Sequence, residues 1–168
     1  MIGQPAGQPA GIGLRRAVPG DAPACIAIRG QTRDNAIAPE RLAALGITAA
    51  SWAAAMRSGA VAGHVAERQG QVLGHCFGAP ATGEVLVLAV LPGADGRGLG
   101  RQLLALVAAD LVALGHPRLF LGASHDPATR AHGFYRHLGW RPTGAVDAHG
   151  DEILAWQVPE RPDTGAAR

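Results

Sequence analysis

Apolar residues recur along this chain in two periods, and the changes between them mark the elements. Residues 12–17 read as a short extended segment, ended by Pro19-Gly20-Asp21. Residues 21–33 carry Ala24, Ile28 and small residues at helical spacing, with Asp21 as the cap, until the polar run Gln31-Thr32-Arg33-Asp34-Asn35 breaks the pattern. A second helical stretch covers 39–58. It is split near Gly46, and Thr48 caps the half that carries Trp52 and Met56. Residues 61–68 and 72–79 flank Gln69-Gly70-Gln71 and predict a β-hairpin.

Residues 84–91 are apolar at every position after Glu84, as in a strand covered on both faces, and Pro92 stops them. Helical periodicity is clearest from Gly98 to Leu114, where Leu99, Leu103, Leu106, Val107, Leu111 and Leu114 form one stripe. Gly115 and Pro117 end that helix. A buried strand over 118–123 follows. Then come a helix over 127–138, with Phe134 and Leu138 on one side, and strands near 140–146 and 151–158 around Asp147 to Gly150. The order β-α-α-β-β-β-α-β-α-β-β predicts an α/β (α+β) domain, a mixed sheet with helices on its faces.

Composition narrows the chemistry. The chain has 168 residues, 48% hydrophobic and 17% charged, enough apolar material for one domain with a sizeable core. The domain is expected over 12–158, with a loose leader at 1–11 and a loose tail at 159–168. The net charge of +2 suits a small anionic ligand better than a long phosphate track. All 15 basic residues are arginine. Without lysine there is no Walker phosphate loop and no Schiff-base chemistry on the chain. Aromatic residues make up only 4%, so stacking platforms for nucleic acid are scarce. No segment reads as a signal peptide or membrane span, and a reduced, cytoplasmic setting is expected.

Cys25 and Cys76 lack metal spacing and a His-Asp neighbourhood, so both read as small buried hydrophobes. Among the seven histidines, His132 and His137 fall on different helix faces, and His64 and His75 would face each other across the hairpin. Two ligands without a nearby Cys or acid rarely hold zinc, and no metal is expected.

The chemistry concentrates in Leu88-Ala89-Val90-Leu91-Pro92-Gly93-Ala94-Asp95-Gly96-Arg97-Gly98-Leu99-Gly100-Arg101. A buried strand ends there, and glycines open a long amphipathic helix. Glycine lets a ligand approach the backbone, and the first helical turn offers free N–H groups at the positive end of the dipole. This is an anion site suited to phosphate or diphosphate, with Arg97 and Arg101 adding charge. The spacing G-x-G-x-x-G of a dinucleotide fold is absent: counted from Gly96 the third glycine is Arg101, and from Gly98 it is Leu103.

Val90-Leu91-Pro92 followed by Gly98-Leu99-Gly100 and a long helix resembles the acyl-CoA signature of the GNAT superfamily of N-acetyltransferases, whose turn reads Q/R-x-x-G-x-G/A. Asp95 stands at the Q/R position, and it is expected to face solvent. Ala131 to Trp140 resembles the family's A-x-x-F/L-Y-x-x-x-G-F/W element, with Phe134, Tyr135 and Gly139 in place. The asparagine often found seven residues before the tyrosine is Ala128 here. The resemblance runs from residue 12 to 158 and implies a mostly antiparallel central sheet.

The resemblance further implies acetyl-CoA as co-substrate and a primary amine, of a small molecule or a protein, as acceptor. The pantetheine arm would pair with the backbone of Leu88, Ala89 and Val90. The diphosphate would lie on the amides of Gly96, Arg97, Gly98, Leu99, Gly100 and Arg101, beside Phe134. Tyr135 matches the family's acid for the leaving thiolate, and it reads otherwise as an aromatic core residue with its hydroxyl bonded elsewhere. Parallel strands 84–91 and 118–123 would part at their ends to admit the thioester. Family dimers are common, so a homodimer is allowed for.

Glu84 is the only acid of the central strand, and by alternation it shares a face with Leu86, Leu88 and Val90. It reads either as a base acting on the amine through water or as an exposed strand-end charge. His125 is a reserve base. Arg130 and Arg136 read as phosphate contacts or as solvated helix charges. Arg33-Asp34-Asn35 reads as part of the acceptor site, through Arg33 and Asn35, or as a loop that ends a helix. Trp52 and Trp140 read as packing. A catalytically silent acyl-CoA-binding module is the competing function.

Overall fold

A computed structural model of the chain describes residues 11–160, so nearly all of the expected leader and tail lies outside the described residues. Seven strands form one sheet in the order β1-β2-β3-β4-β5-β7-β6. They are β1 (Gly13–Arg16), β2 (Ala62–Arg68), β3 (Gln71–Ala79), β4 (Glu84–Val90), β5 (Arg118–Ala123), β6 (Arg141–Val146) and β7 (Glu152–Gln157). All neighbours are antiparallel except β4 and β5. The β2–β3 hairpin turns on Gln69 (φ 51°) and Gly70 (φ 78°), two adjacent left-handed residues of the kind a two-residue hairpin loop requires.

Helix α4 (Leu99–Ala113) packs on one face of the sheet through Leu99, Leu103, Leu104, Val107 and Leu111. The expected stripe is corrected at two places: Leu106 is only partly buried and lies outside this cluster, with Leu104 buried in its stead, and the end also differs. Leu114 is the C-cap residue and is exposed, because Gly115 and Pro117 turn the chain away there. The other face carries α1 (Ala22–Arg29) and α3 (Ala49–Ser58) over Val65, Phe77 and Ala89. Trp52 packs edge-on to Phe77 at 5.3 Å between centroids, and Trp140 is buried. Helix α2 (Pro39–Ala44) is separated from α3 at Gly46, and Thr48 caps α3 by accepting from the Ser51 N–H at 3.1 Å. Asp21 does not cap α1 with its side chain. Its carboxylate accepts from the Val18 N–H and pairs with Arg15, each at 2.8 Å, which keeps it buried.

Two register shifts overturn expectations based on strict alternation. In β2–β3 a shift after Ala66 pairs His64 with Cys76 and Val65 with His75. The two histidines therefore point to opposite faces, His64 to Asp110 on α4 and His75 to the Cys25 carbonyl on α1. In β3–β4, Phe77 pairs with Val87 and Gly78 with Val85, leaving Leu86 as a bulge. Val85, Leu88 and Val90 then share the α4 face, and Glu84 is turned to the other one. Glu84 does not share a face with Leu88 and Val90.

Candidate functional site

Strands β4 and β5 meet at a single register pair, Glu84 with Phe120, supported by the Phe120 N–H donating to the Gly83 carbonyl at 3.3 Å. Beyond that point they diverge. The Leu91 N–H donates to Leu73 of β3 at 2.8 Å. Because main-chain groups alternate in direction along a strand, those of Leu88 and Val90 face the gap. Helix α5 (Arg130–His137) borders it, and a cleft of about 550 Å³ opens between the strands. Leu88, Ala89, Val90, Gly96, Gly98, Leu99, Gly100 and Arg101 line one side, Leu121 to Ser124 and Asp151 the other, and Phe134 and Tyr135 the α5 wall.

The mouth is built by the glycine turn. Gly96 and Gly98 have φ of 74° and 75°, a backbone that residues with a Cβ rarely adopt. Gly98 is the N-cap of α4 and supplies no side-chain acceptor, so the first-turn amides keep their donors. A Cβ at Gly100 would point between Phe134 and Leu88, 3.7 and 3.8 Å away, so this position faces the cleft. Uncapped amides at a helix N-terminus, with Arg101 beside them, fit a diphosphate. Arg97 is exposed and its side chain does not line the cleft.

The expectation that Asp95 faces solvent is corrected. Asp95 lines the cleft and accepts from Arg33 Nε at 3.0 Å and Arg130 Nη1 at 2.8 Å. These bonds, above all that from Arg130, hold its carboxyl below the usual range. Arg130 also donates its backbone N–H to Asp34 at 3.0 Å, so the α1–α2 segment is tied to the start of α5. Arg33, Asn35 and Arg130 all line the cleft. Arg136 does not, because it is paired with Glu152 at 2.6 Å.

Tyr135 packs edge-on between Phe134 (5.0 Å) and Trp140 (6.2 Å), and burial drives its hydroxyl pKa well up. The phenol is thus neutral and able to donate a proton. Glu84 stands at the apex of the strand opening and is not among the cleft-lining side chains. Burial, then the nearby Asp147, raise its pKa. His125 is exposed, bonded to the Gly150 carbonyl at 3.1 Å, and does not line the cleft.

Two residues escaped the sequence reading. Asp151 lines the cleft, with its pKa raised by burial and then by Asp147. Its placement depends on Asp147, whose Oδ1 accepts from the N–H groups of His149 and Asp151 and whose Oδ2 lies 2.8 Å from where a Gly122 Cβ would be. Arg29 also lines the cleft. Both belong to segments with no motif. Among the described residues no group of three or more His, Cys, Asp or Glu could hold a metal ion.

Comparison with known proteins places this cleft in context. The family model described as the acetyltransferase (GNAT) family matches residues 31–140. The mycothiol acetyltransferase of Beutenbergia cavernae is 43% identical over 70 residues, covering 42% of this chain and 23% of that protein. The match therefore spans under a quarter of that relative's length. The PaiA N-acetyltransferase of Thermoplasma acidophilum, solved in complex with coenzyme A, superposes with a TM-score of 0.73 at 14% identity, covering 88% of this chain and 99% of that one. YncA of Salmonella typhimurium, solved with its cofactor acetyl-CoA, gives 0.66 at 19% identity over 94% and 99%. At these identities the likeness establishes a shared fold.

Proposed function

Because the chain belongs to the acetyltransferase (GNAT) family, we propose that it transfers an acetyl group from acetyl-CoA to a primary amine of a small molecule or protein, by direct attack in a ternary complex. The observation that carries this reading is the parting of β4 and β5 after one register pair, beside a helix N-terminus without a side-chain cap. An extended arm fits beside β4, bonded to the main-chain groups of Leu88 and Val90. Its diphosphate rests on the amides from Gly96 to Arg101, with Arg101 and Arg130 beside it.

Acetyl-CoA supplies the thioester: the amine forms the new C–N bond as the C–S bond breaks. The chain's residues manage the protons. Tyr135, neutral because buried, donates its proton to the departing thiolate. The proton lost by the amine passes to the carboxylates opposite. Asp151 lines the cleft, and Glu84 at the apex is reached through water. Raised proton affinity makes each a stronger base than an ordinary carboxylate. Two buried free thiols, Cys25 and Cys76, support a reducing compartment such as the cytoplasm.

The test is release of free thiol from acetyl-CoA across a broad panel of primary amines. Turnover with at least one class supports the proposal. Binding of acetyl-CoA without turnover on any amine would favour the silent binding module instead.

A further inference from the structure

Helix α1 ends on Arg29, whose guanidinium is half-buried in the cleft wall. Arg33 and Arg130 share Asp95, whereas Arg29 pairs with no carboxylate among the described residues. Its one hydrogen bond there runs from Nη1 to the Asn35 carbonyl at 3.0 Å. Three residues on, Thr32 lines the same cleft, and its Oγ1 is buried without a partner among the described residues. A partly desolvated cation without a counter-charge and a buried hydroxyl without a partner in one pocket both carry a cost, and an anionic group seated there offsets both.

We propose that Arg29, together with Thr32, receives a carboxylate carried by the acceptor, so that the acceptors of this enzyme are amines bearing a carboxylate. This rests on the transferase reading above and adds the substrate class. The planar guanidinium fork matches the two oxygens of a carboxylate, and it stays charged at any physiological pH. Burial lowers its pKa without neutralising it. Arg29 lines the same cleft as Tyr135, the tyrosine that serves the thiolate, while the diphosphate seat already has Arg101 and Arg130. A carboxylate on Arg29 holds its amine within the same cleft, with Asp151 on the opposite wall to attract the ammonium.

The experiment compares α-, β- and γ-amino acids and dipeptides with their own carboxamides, by thiol release from acetyl-CoA. At least one acid is expected to exceed its carboxamide roughly ten- to a hundredfold in kcat/KM, the range of a hydrogen-bonded charge pair. Arg29→Met erases that preference with the KM for acetyl-CoA unchanged, and Arg29→Lys restores part of it. Thermal melting of both variants checks the fold. Equal use of acids and carboxamides overturns the inference and leaves the transferase reading standing. A change confined to the KM for acetyl-CoA also overturns it, by assigning Arg29 to the donor. If no amine turns over, calorimetry of the same pairs against the protein with coenzyme A decides. Heat from an acid that its carboxamide and Arg29→Met lack supports the carboxylate seat, and no heat from any acid overturns it.

Discussion

Arg130 Nη1 donates to Asp95 Oδ2 at 2.8 Å, which joins the start of α5 to the glycine turn across the mouth of the cleft. Arg33 reaches the same carboxylate from the α1–α2 segment. Two cations beside the proposed diphosphate seat are thus held by one anion. Asp95→Asn removes that anion and releases both arginines toward phosphate. Calorimetric titration with coenzyme A is expected to give a Kd lower by a few-fold at low salt, with the gain shrinking as salt rises. A higher Kd would mean that Asp95 serves to hold the turn together.

Tyr135→Phe removes one hydroxyl from a ring otherwise held by Phe134 and Trp140, so packing survives. If the hydroxyl protonates the leaving thiolate, kcat falls roughly ten- to a hundredfold or more while the Kd for acetyl-CoA stays put. Wild-type turnover over a range of pH would remove Tyr135 from the mechanism.

The legible parts of this protein are those where local pattern and tertiary position coincide. Gly96, Gly98 and Gly100 announce the turn because only their backbone freedom or small size suits it. Leu99, Leu103, Val107 and Leu111 announce α4 because there helix period and burial agree. The β4 bulge was not legible. Residues 84–91 are apolar on both faces, so nothing in their pattern marks Leu86 as the extra residue, and the face assigned to Glu84 was reversed. Arg29 and Asp151 were missed for a related reason. Each is a single charged residue at the end of an element, and only the sheet's topology brings them to one cleft. Asp95 was misplaced because its partners lie 62 and 35 residues away in sequence.

The raised pKa of Glu84 has two consequences. A carboxyl whose folded pKa exceeds its unfolded value favours the fold below the unfolded pKa, about 4.3 for Glu, and loses that contribution as pH rises through the folded value. Glu84→Gln is therefore expected to raise the Tm at pH of about 7, with the gain vanishing below pH of about 4. If Glu84 receives the amine proton, the same variant loses roughly ten- to a hundredfold in kcat, and the acidic limb of its pH profile shifts. A higher Tm with unchanged kcat would assign the base role to Asp151 alone.

His75 gives a pH effect of opposite sign. It is 1% exposed, and its Nε2 lies 3.2 Å from the Cys25 carbonyl, which assigns the proton to that nitrogen and leaves Nδ1 without a partner among the described residues. Burial lowers its pKa to about 4. The unfolded chain binds a proton near pH of about 6.5, so stability present above that value is lost as pH falls toward 4, on the order of 3 kcal/mol in all. In His75→Leu this slope between pH of about 6.5 and 4 should flatten, as read by urea unfolding at several pH values. An unchanged slope would place the acid lability elsewhere.

Gly100 offers the most direct check of the diphosphate seat. Its missing Cβ faces the cleft with only ordinary contacts at 3.7 and 3.8 Å, so alanine fits there and glutamate fills the seat with bulk and negative charge. Calorimetry with acetyl-CoA and with coenzyme A on the wild type, Gly100→Ala and Gly100→Glu is the deciding measurement. The account predicts saturable one-to-one binding of both compounds to the wild type, near-equal affinity for the alanine variant, and at least a hundredfold loss for folded Gly100→Glu. Absence of heat with well-folded wild-type protein, or equal binding by the glutamate variant, would contradict it.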